Sequence, residues 1–160
     1  VSKLHRVLAL SIGLSSPSLA QQDTARITVV PEQGAAFAMS RAELAALPQL
    51  EVLADSGRTR YRGPALRAIL TRAGAPAGHL RGKNLTLAVL VECADGYRVV
   101  YSLAELEEQG ARATILALTR NDQALPEKDG PFRVAMPGEL HHSRWARQVV
   151  RMRLLQVNPP

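Results

Sequence analysis

Apolar and polar positions change period several times along this chain, and each change marks an element. Residues 27–30 (Ile-Thr-Val-Val) form a β-branched run that reads as a strand. Ser40-Arg41-Ala42-Glu43 has the spacing of a capping box and opens a short helix that stops before Pro48. Residues 50–53 read as a second strand and residues 57–60 as a polar turn. Pro64 suits the first position of a helix, Leu66, Ile69 and Leu70 share one of its faces, and Gly74 is placed to end it. Leu85, Leu87, Val89, Val91 and Cys93 then alternate with Thr86, Ala88, Leu90 and Glu92, which predicts a long, mostly buried strand. Asp95-Gly96 is a hairpin turn, and residues 97–101 return as its partner strand.

The second half is more broken. Ser102-Leu103-Ala104-Glu105 repeats the capping-box spacing, and residues 113–118 are apolar and strand-like. Arg120-Asn121-Asp122-Gln123 reads as a polar loop with turn residues. Residues 132–136 form a strand stopped by Pro137-Gly138, and residues 141–148 a loop entering a short helix. Last, Val150, Met152 and Leu154 alternate with Arg151 and Arg153, giving a strand with one apolar and one basic face. Strands and short helices mix without regular βαβ alternation, so the expected class is α+β, with a mixed β-sheet and short helices.

The first twenty residues stand apart. Lys3, His5 and Arg6 precede the apolar run Val7 to Leu14, and small residues at Ser18 and Ala20 follow Pro17. That order is the one of a secretory signal, with cleavage expected after Ala20. The apolar run is shorter than the roughly 20 residues that span a bilayer, so no stable membrane insertion is expected. Residues 1–20 are thus expected to be a signal peptide and residues 21–160 a single domain, located in the periplasm or secreted. Losing Lys3 and Arg6 leaves 18 bases against 14 acids, a net charge of +4. That mild surplus favours an anionic ligand or surface. Aromatics are only 4% and no dense basic run interleaves with them, which argues against nucleic acid.

Candidate chemistry is sparse. Cys93 is the one cysteine, so no internal disulfide forms, and its place on an apolar strand face makes it a buried, structural thiol. His141 and His142 are the one histidine cluster, a surface pair with no third ligand spaced for a metal, and stand as candidate ligand-binding residues beside the arginines that follow. Arg144 and Arg147 lie three apart, so a helix would put both guanidiniums on one face as an anion site. Trp145 between them would anchor the segment to the core. Arg120 and Asn121 are turn residues or further ligand contacts. No catalytic triad, phosphate loop or metalloprotease motif is present.

The order of these signals resembles the oxidoreductase molybdopterin-binding domain, the fold of sulfite oxidase and its bacterial relatives. The similarity is carried by Tyr61-Arg62-Gly63-Pro64-Ala65-Leu66 and by Asp95-Gly96-Tyr97. It continues through Asn121-Asp122-Gln123-Ala124-Leu125-Pro126, residues 130–138, and Ala146 to Met152. The resemblance implies a sulfite-oxidase-like fold. It also implies a molybdenum held by a cysteine thiolate just before the Gly-Pro-Ala-Leu helix, and a basic residue matching Arg147 on the cofactor's phosphate. Here residues 51–58 read Glu-Val-Leu-Ala-Asp-Ser-Gly-Arg, with Asp55 near the expected place and no cysteine. Cofactor-loaded members are expected to use the twin-arginine export route, whereas this leader has no adjacent arginine pair.

These two absences agree on an exported, non-catalytic binding protein with a degenerate molybdopterin-binding fold. No cofactor is expected, and the ligand is a small anion or an envelope protein partner. Two readings stay open beside it: a molybdopterin-dependent oxidoreductase, or its electron-transfer accessory, and a purely structural or interaction domain. Intact-mass measurement of the exported protein should show a chain beginning at Gln21; retention of residues 1–20 would overturn the signal assignment.

Overall fold

The computed structural model describes residues 24–107 and 112–157, and the expected signal lies outside them. β1 (Arg26–Val30) and β2 (Phe37–Ser40) form the first antiparallel pair. Ser40 then caps α1 (Arg41–Ala45) through the predicted capping box: its Oγ accepts from Glu43 N, and its own N donates 2.7 Å to Glu43 Oε2. β3 (Gln49–Ala54) and β4 (Thr59–Pro64) form a hairpin joined by a left-handed turn with Asp55, Ser56 and Gly57 at positive φ. α2 (Leu66–Arg72) follows and buries Leu66, Ile69 and Leu70. β5 (Leu87–Cys93) and β6 (Arg98–Ser102) are the predicted hairpin, with Gly96 at φ 85° in its turn.

After a 3-10 turn at Ala104–Glu107 come β7 (Ile115–Ala117), β8 (Thr119–Arg120) and β9 (Gln123–Ala124). β10 (Arg133–Ala135) and β11 (Val149–Gln156) complete the chain. The main sheet has the order β2-β1-β11-β5-β6, in which β1 and β11 run parallel and the other pairs antiparallel. A second sheet has the order β3-β4-β8-β9, and β10 pairs with β7. This is the α+β mixed-sheet architecture that the pattern predicts. Both helices lie against one face of the main sheet, where Ile27, Val29, Val89, Val91 and Met152 meet Leu44, Leu66, Ile69 and Leu70. No helix among the described residues is long and apolar enough to cross a membrane.

Several local expectations differ from the structure. Pro64 ends β4 instead of starting a helix, because its strand pairs in register with Gln49. The expected loop at residues 120–123 is a tight hairpin: Asn121 and Asp122 both take positive φ, 50° and 59°, as a two-residue turn between twisted strands requires. Val150 faces solvent, since a bulge between Val149 and Arg151 shifts the alternation and buries Val149 in its place. Leu85 is likewise exposed, in a 3-10 turn before the strand begins.

The two layers meet where β4 crosses the backbone at residues 114–118. Leu66 N donates to Thr114 O at 2.9 Å and Leu118 N to Arg62 O at 2.8 Å. Between them, a Cβ placed on Gly63 would stand 1.9 Å from Leu116 O, so no side chain fits there. Gly63→Ala should therefore cost about 3 kcal/mol or more, with Tm falling on the order of 10 °C. Gly96→Ala, with open space around it, should cost only about 1 kcal/mol. Thermal denaturation of the two variants checks the ranking.

Candidate functional site

The turn after β3, the end of β5, the β5–β6 hairpin and residues 142–147 surround a cleft of about 570 Å³. Its floor is built around Arg133. Asp129, 2% exposed, pairs with Arg133 at 2.9 Å. The guanidinium carbon lies 5.3 Å from the Tyr61 ring centre and 5.7 Å from that of Trp145. Tyr61 and Trp145 meet edge to face at 5.9 Å, and His142 stacks on the outer side of Trp145 at 5.6 Å. Ionic and aromatic contacts thus hold strands β4 and β10 and the 142–147 segment as one wall.

That segment is stitched to its neighbours by backbone and hydroxyl contacts. Val134 N donates to Ala146 O at 2.8 Å, Ala94 N to Gln148 O at 2.9 Å, and Gln148 N to Asp129 O at 3.0 Å. The Tyr97 hydroxyl donates to Ser143 O at 2.8 Å, and that of Tyr101 to Arg144 O. Burial, partly opposed by Arg144, pushes the Tyr101 hydroxyl well above its ordinary range, so it remains a donor.

The segment is not the short helix expected from the sequence. A 3-10 turn covers only His142–Arg144, and Trp145 leaves it with ψ 70°. Arg144 and Arg147 consequently diverge. Arg144 Nη2 meets Glu105 Oε1 and its Nε meets Glu139 Oε2, both at 2.9 Å, while its guanidinium lies over Tyr101. Arg144 is a clamp between the 3-10 turn at 104–107 and the 139–144 loop, and it does not line the cleft. Arg147 does, as do Arg120 and His142. Asn121 is a turn residue whose Oδ1 accepts from Arg60 N at 2.8 Å, and His141 points to solvent outside the cleft. Trp145 is buried as expected, yet forms part of the cleft wall.

Sequence reasoning missed Lys128, Asp129 and Arg133. Their signal lay in the Lys-Asp-Gly-Pro-Phe-Arg run, whose acid and base are four apart but not on a helix. Among the cleft's cations Arg133 is neutralised by Asp129, whereas Arg120, Lys128 and Arg147 form no ion pair with any described acid. Asp55 and Asp95 also line the cleft, and each is held locally: Asp55 accepts from the Thr59 hydroxyl at 2.8 Å, and Asp95 from Tyr97 N at 2.9 Å. Cys93 reaches the cleft from the end of β5 and is 5% exposed. Burial, reinforced by Asp95, raises its thiol from 9.0 to about 11 against the opposing pull of the Arg147 N–H and charge. The thiol is protonated at neutral pH. No cluster of three or more His, Cys, Asp or Glu suited to a metal ion occurs among the described residues.

The sequence matches the oxidoreductase molybdopterin binding domain over residues 38–159. No functionally curated protein matches it. Among solved structures it is similar to the sulfane dehydrogenase SoxCD from Paracoccus pantotrophus, with a TM-score of 0.63 at 16% identity. The match covers 88% of this chain and 40% of the SoxCD chain, and at this identity it shows the fold alone. Sequence match and sulfite-oxidase-like fold agree, and the chain belongs to the oxidoreductase molybdopterin-binding domain family.

Proposed function

We propose that this domain is an exported, non-catalytic binding protein whose cleft takes a small anionic ligand. The observation that carries the reading is the set of three cations, Arg120, Lys128 and Arg147, lining one cleft without an acidic partner. Guanidinium and ammonium groups held there bind phosphate-like or carboxylate groups through charge-assisted hydrogen bonds. Aromatic walls at Tyr61 and Trp145 limit water on one side and so strengthen such bonds.

The residues present suit the anionic end of the family's cofactor and not its metal end. Molybdenum already bound by sulfur favours a soft thiolate. Asp55 stands near the place that the resemblance gives to that thiolate, and it offers a hard carboxylate already engaged by Thr59. Cys93 lies across the cleft but carries a buried, protonated thiol. Its presence in the cleft is what favours the rival reading, a molybdopterin-dependent oxidoreductase with an unusual ligand set. Export rests on the charged, apolar and small-residue order of residues 1–20.

Two measurements test this proposal. Protein purified from the cell envelope should contain far less than one molybdenum per chain, and should bind inorganic phosphate or pyrophosphate in calorimetry. An Arg147→Ala, Lys128→Ala double variant should lose about tenfold or more in that affinity, about 1.4 kcal/mol, while keeping its Tm. Stoichiometric molybdenum would overturn the non-catalytic reading, and unchanged affinity in the variant would remove the cleft as the anion site.

The thiol makes a separate prediction. An unfolded thiol loses its proton near 9 and the folded one near 11, so folding stability should fall as pH rises between these values and be unaffected below them. The ultraviolet absorbance of the thiolate should titrate near the higher value. Denaturation across that range, compared with Cys93→Ala, isolates the contribution of this group. A thiol that titrates near 7 would instead restore Cys93 as a ligand or nucleophile.

A further inference from the structure

The face of the main sheet opposite the helices carries an organised pattern that the cleft does not use. Register places Arg151 between Thr28 and Glu92, with Arg98 next to Glu92 on β6. One step along, Arg153 lies between Val30 and Leu90, with Val100 beyond. A row of charges therefore runs beside a row that is mostly aliphatic. The rows are open to solvent in part: Val100 is 53% exposed and the Arg98 and Arg151 side chains 67% and 46%, whereas Val30, Leu90 and Glu92 are half-buried.

Among the described residues of these five strands, Glu92 is the one acid. Its carboxylate is 14% exposed and lies 3.3 Å from Arg98, 3.6 Å from Arg151 and 4.0 Å from Arg153. One carboxylate cannot neutralise three guanidiniums, so two positive charges remain in excess at the centre of the sheet. Glu92 draws the three guanidiniums toward one carboxylate, while the Arg98, Arg151 and Arg153 side chains stay 67%, 46% and 42% exposed. A carboxylate arriving between Arg151 and Arg153 would relieve their repulsion, and Leu90, Val30 and Val100 would exclude water around it.

We infer that this face docks a protein partner that presents carboxylates flanked by apolar side chains. A continuous polyanion fits it less well, because Glu92 stands in the middle of the charge row and the neighbouring row is largely aliphatic. Arginine without lysine, set beside apolar residues, is the composition of protein interfaces. A second copy of this chain is disfavoured, since two such faces would each bring the same positive excess. Five strands about 4.8 Å apart and about five residues long give roughly 400 Å² of flat sheet. That is about half of the ~800 Å² per partner in a standard interface, so the docking is transient and salt-sensitive. This inference is independent of the ligand in the cleft.

The test uses the full chain, isotopically labelled for NMR, and two helical peptides that share one leucine stripe. One peptide flanks the stripe with glutamates, the other with lysines. The glutamate peptide should shift the amides of Leu90, Val100, Arg151 and Arg153, and should weaken about tenfold as ionic strength rises from ~0.05 to ~0.3 M. Arg151→Glu, Arg153→Glu should abolish this binding and accept the lysine peptide. Should that reversal unfold the domain, the single variants Arg151→Gln and Arg153→Gln should each weaken the glutamate peptide several-fold. Equal binding of both peptides, or shifts confined to the cleft, would overturn the inference. So would tighter binding of duplex DNA or phosphatidylglycerol vesicles through the same residues.

Discussion

The architecture turns on the passage of β4 across the backbone at residues 114–118, where Leu116 O leaves room for a hydrogen and nothing larger on Gly63. β4 belongs to the second sheet, and the helix that follows it belongs to the core of the main sheet. The chain therefore changes layers at Gly63, and hydrogen bonds from Leu66 and Leu118 secure the crossing on either side. Because interiors are close-packed, a displacement here would move both cores together. Tyr61, two residues before the crossing, is thereby held at the floor of the cleft.

The cleft itself is an arrangement of charges sorted by their neighbours. Asp129 and Arg133 neutralise each other in a buried pair, a geometry costly to break because either partner alone would be an uncompensated buried charge. Arg144 is spent in the same way on Glu105 and Glu139. What is left toward the cleft is three cations on three separate stretches of chain, Arg120, Lys128 and Arg147, with two carboxylates, Asp55 and Asp95, held by local hydrogen bonds. Cys93, buried beside Asp95, remains a neutral thiol within this field. The two faces of the main sheet are thus specialised: one end of its inner face opens onto the cleft, and its outer face holds arginines around Glu92.

Much of this was legible in the one-dimensional pattern, for local reasons. The Ser40 capping box, the Asp95-Gly96 hairpin, the buried alternation of Leu87 to Cys93 and the apolar face of the Leu66 helix depend on contacts within a few residues. They stand where periodicity placed them. The motifs shared with the molybdopterin-binding family likewise lie in the sequence itself and imply the sulfite-oxidase-like fold that the structure has, while the irregular mixing of strands and short helices gave its α+β class. Arg147, Arg120 and His142 were recognised as candidates from their residue types and reach the cleft.

Tertiary structure decided the rest. Arg144 and Arg147 were separated because three-residue spacing brings side chains together only on a helix, and packing of Trp145 against Tyr61 and Arg133 extends the chain after one 3-10 turn. Strand β4 was hidden because its polar Thr59 to Arg62 stretch gains strand character from pairing with β3 and β8, not from its own alternation. The bulge at Val150 has no local marker and follows from the register with β5. Asp129 became a buried partner of Arg133 through the fold of a loop. The sequence by itself determined which segments could form strands and helices, since those follow from local stereochemistry and polarity. Which charges are neutralised and which face the cleft depends on side chains far apart in sequence, and only the packed chain brings them within a few ångströms.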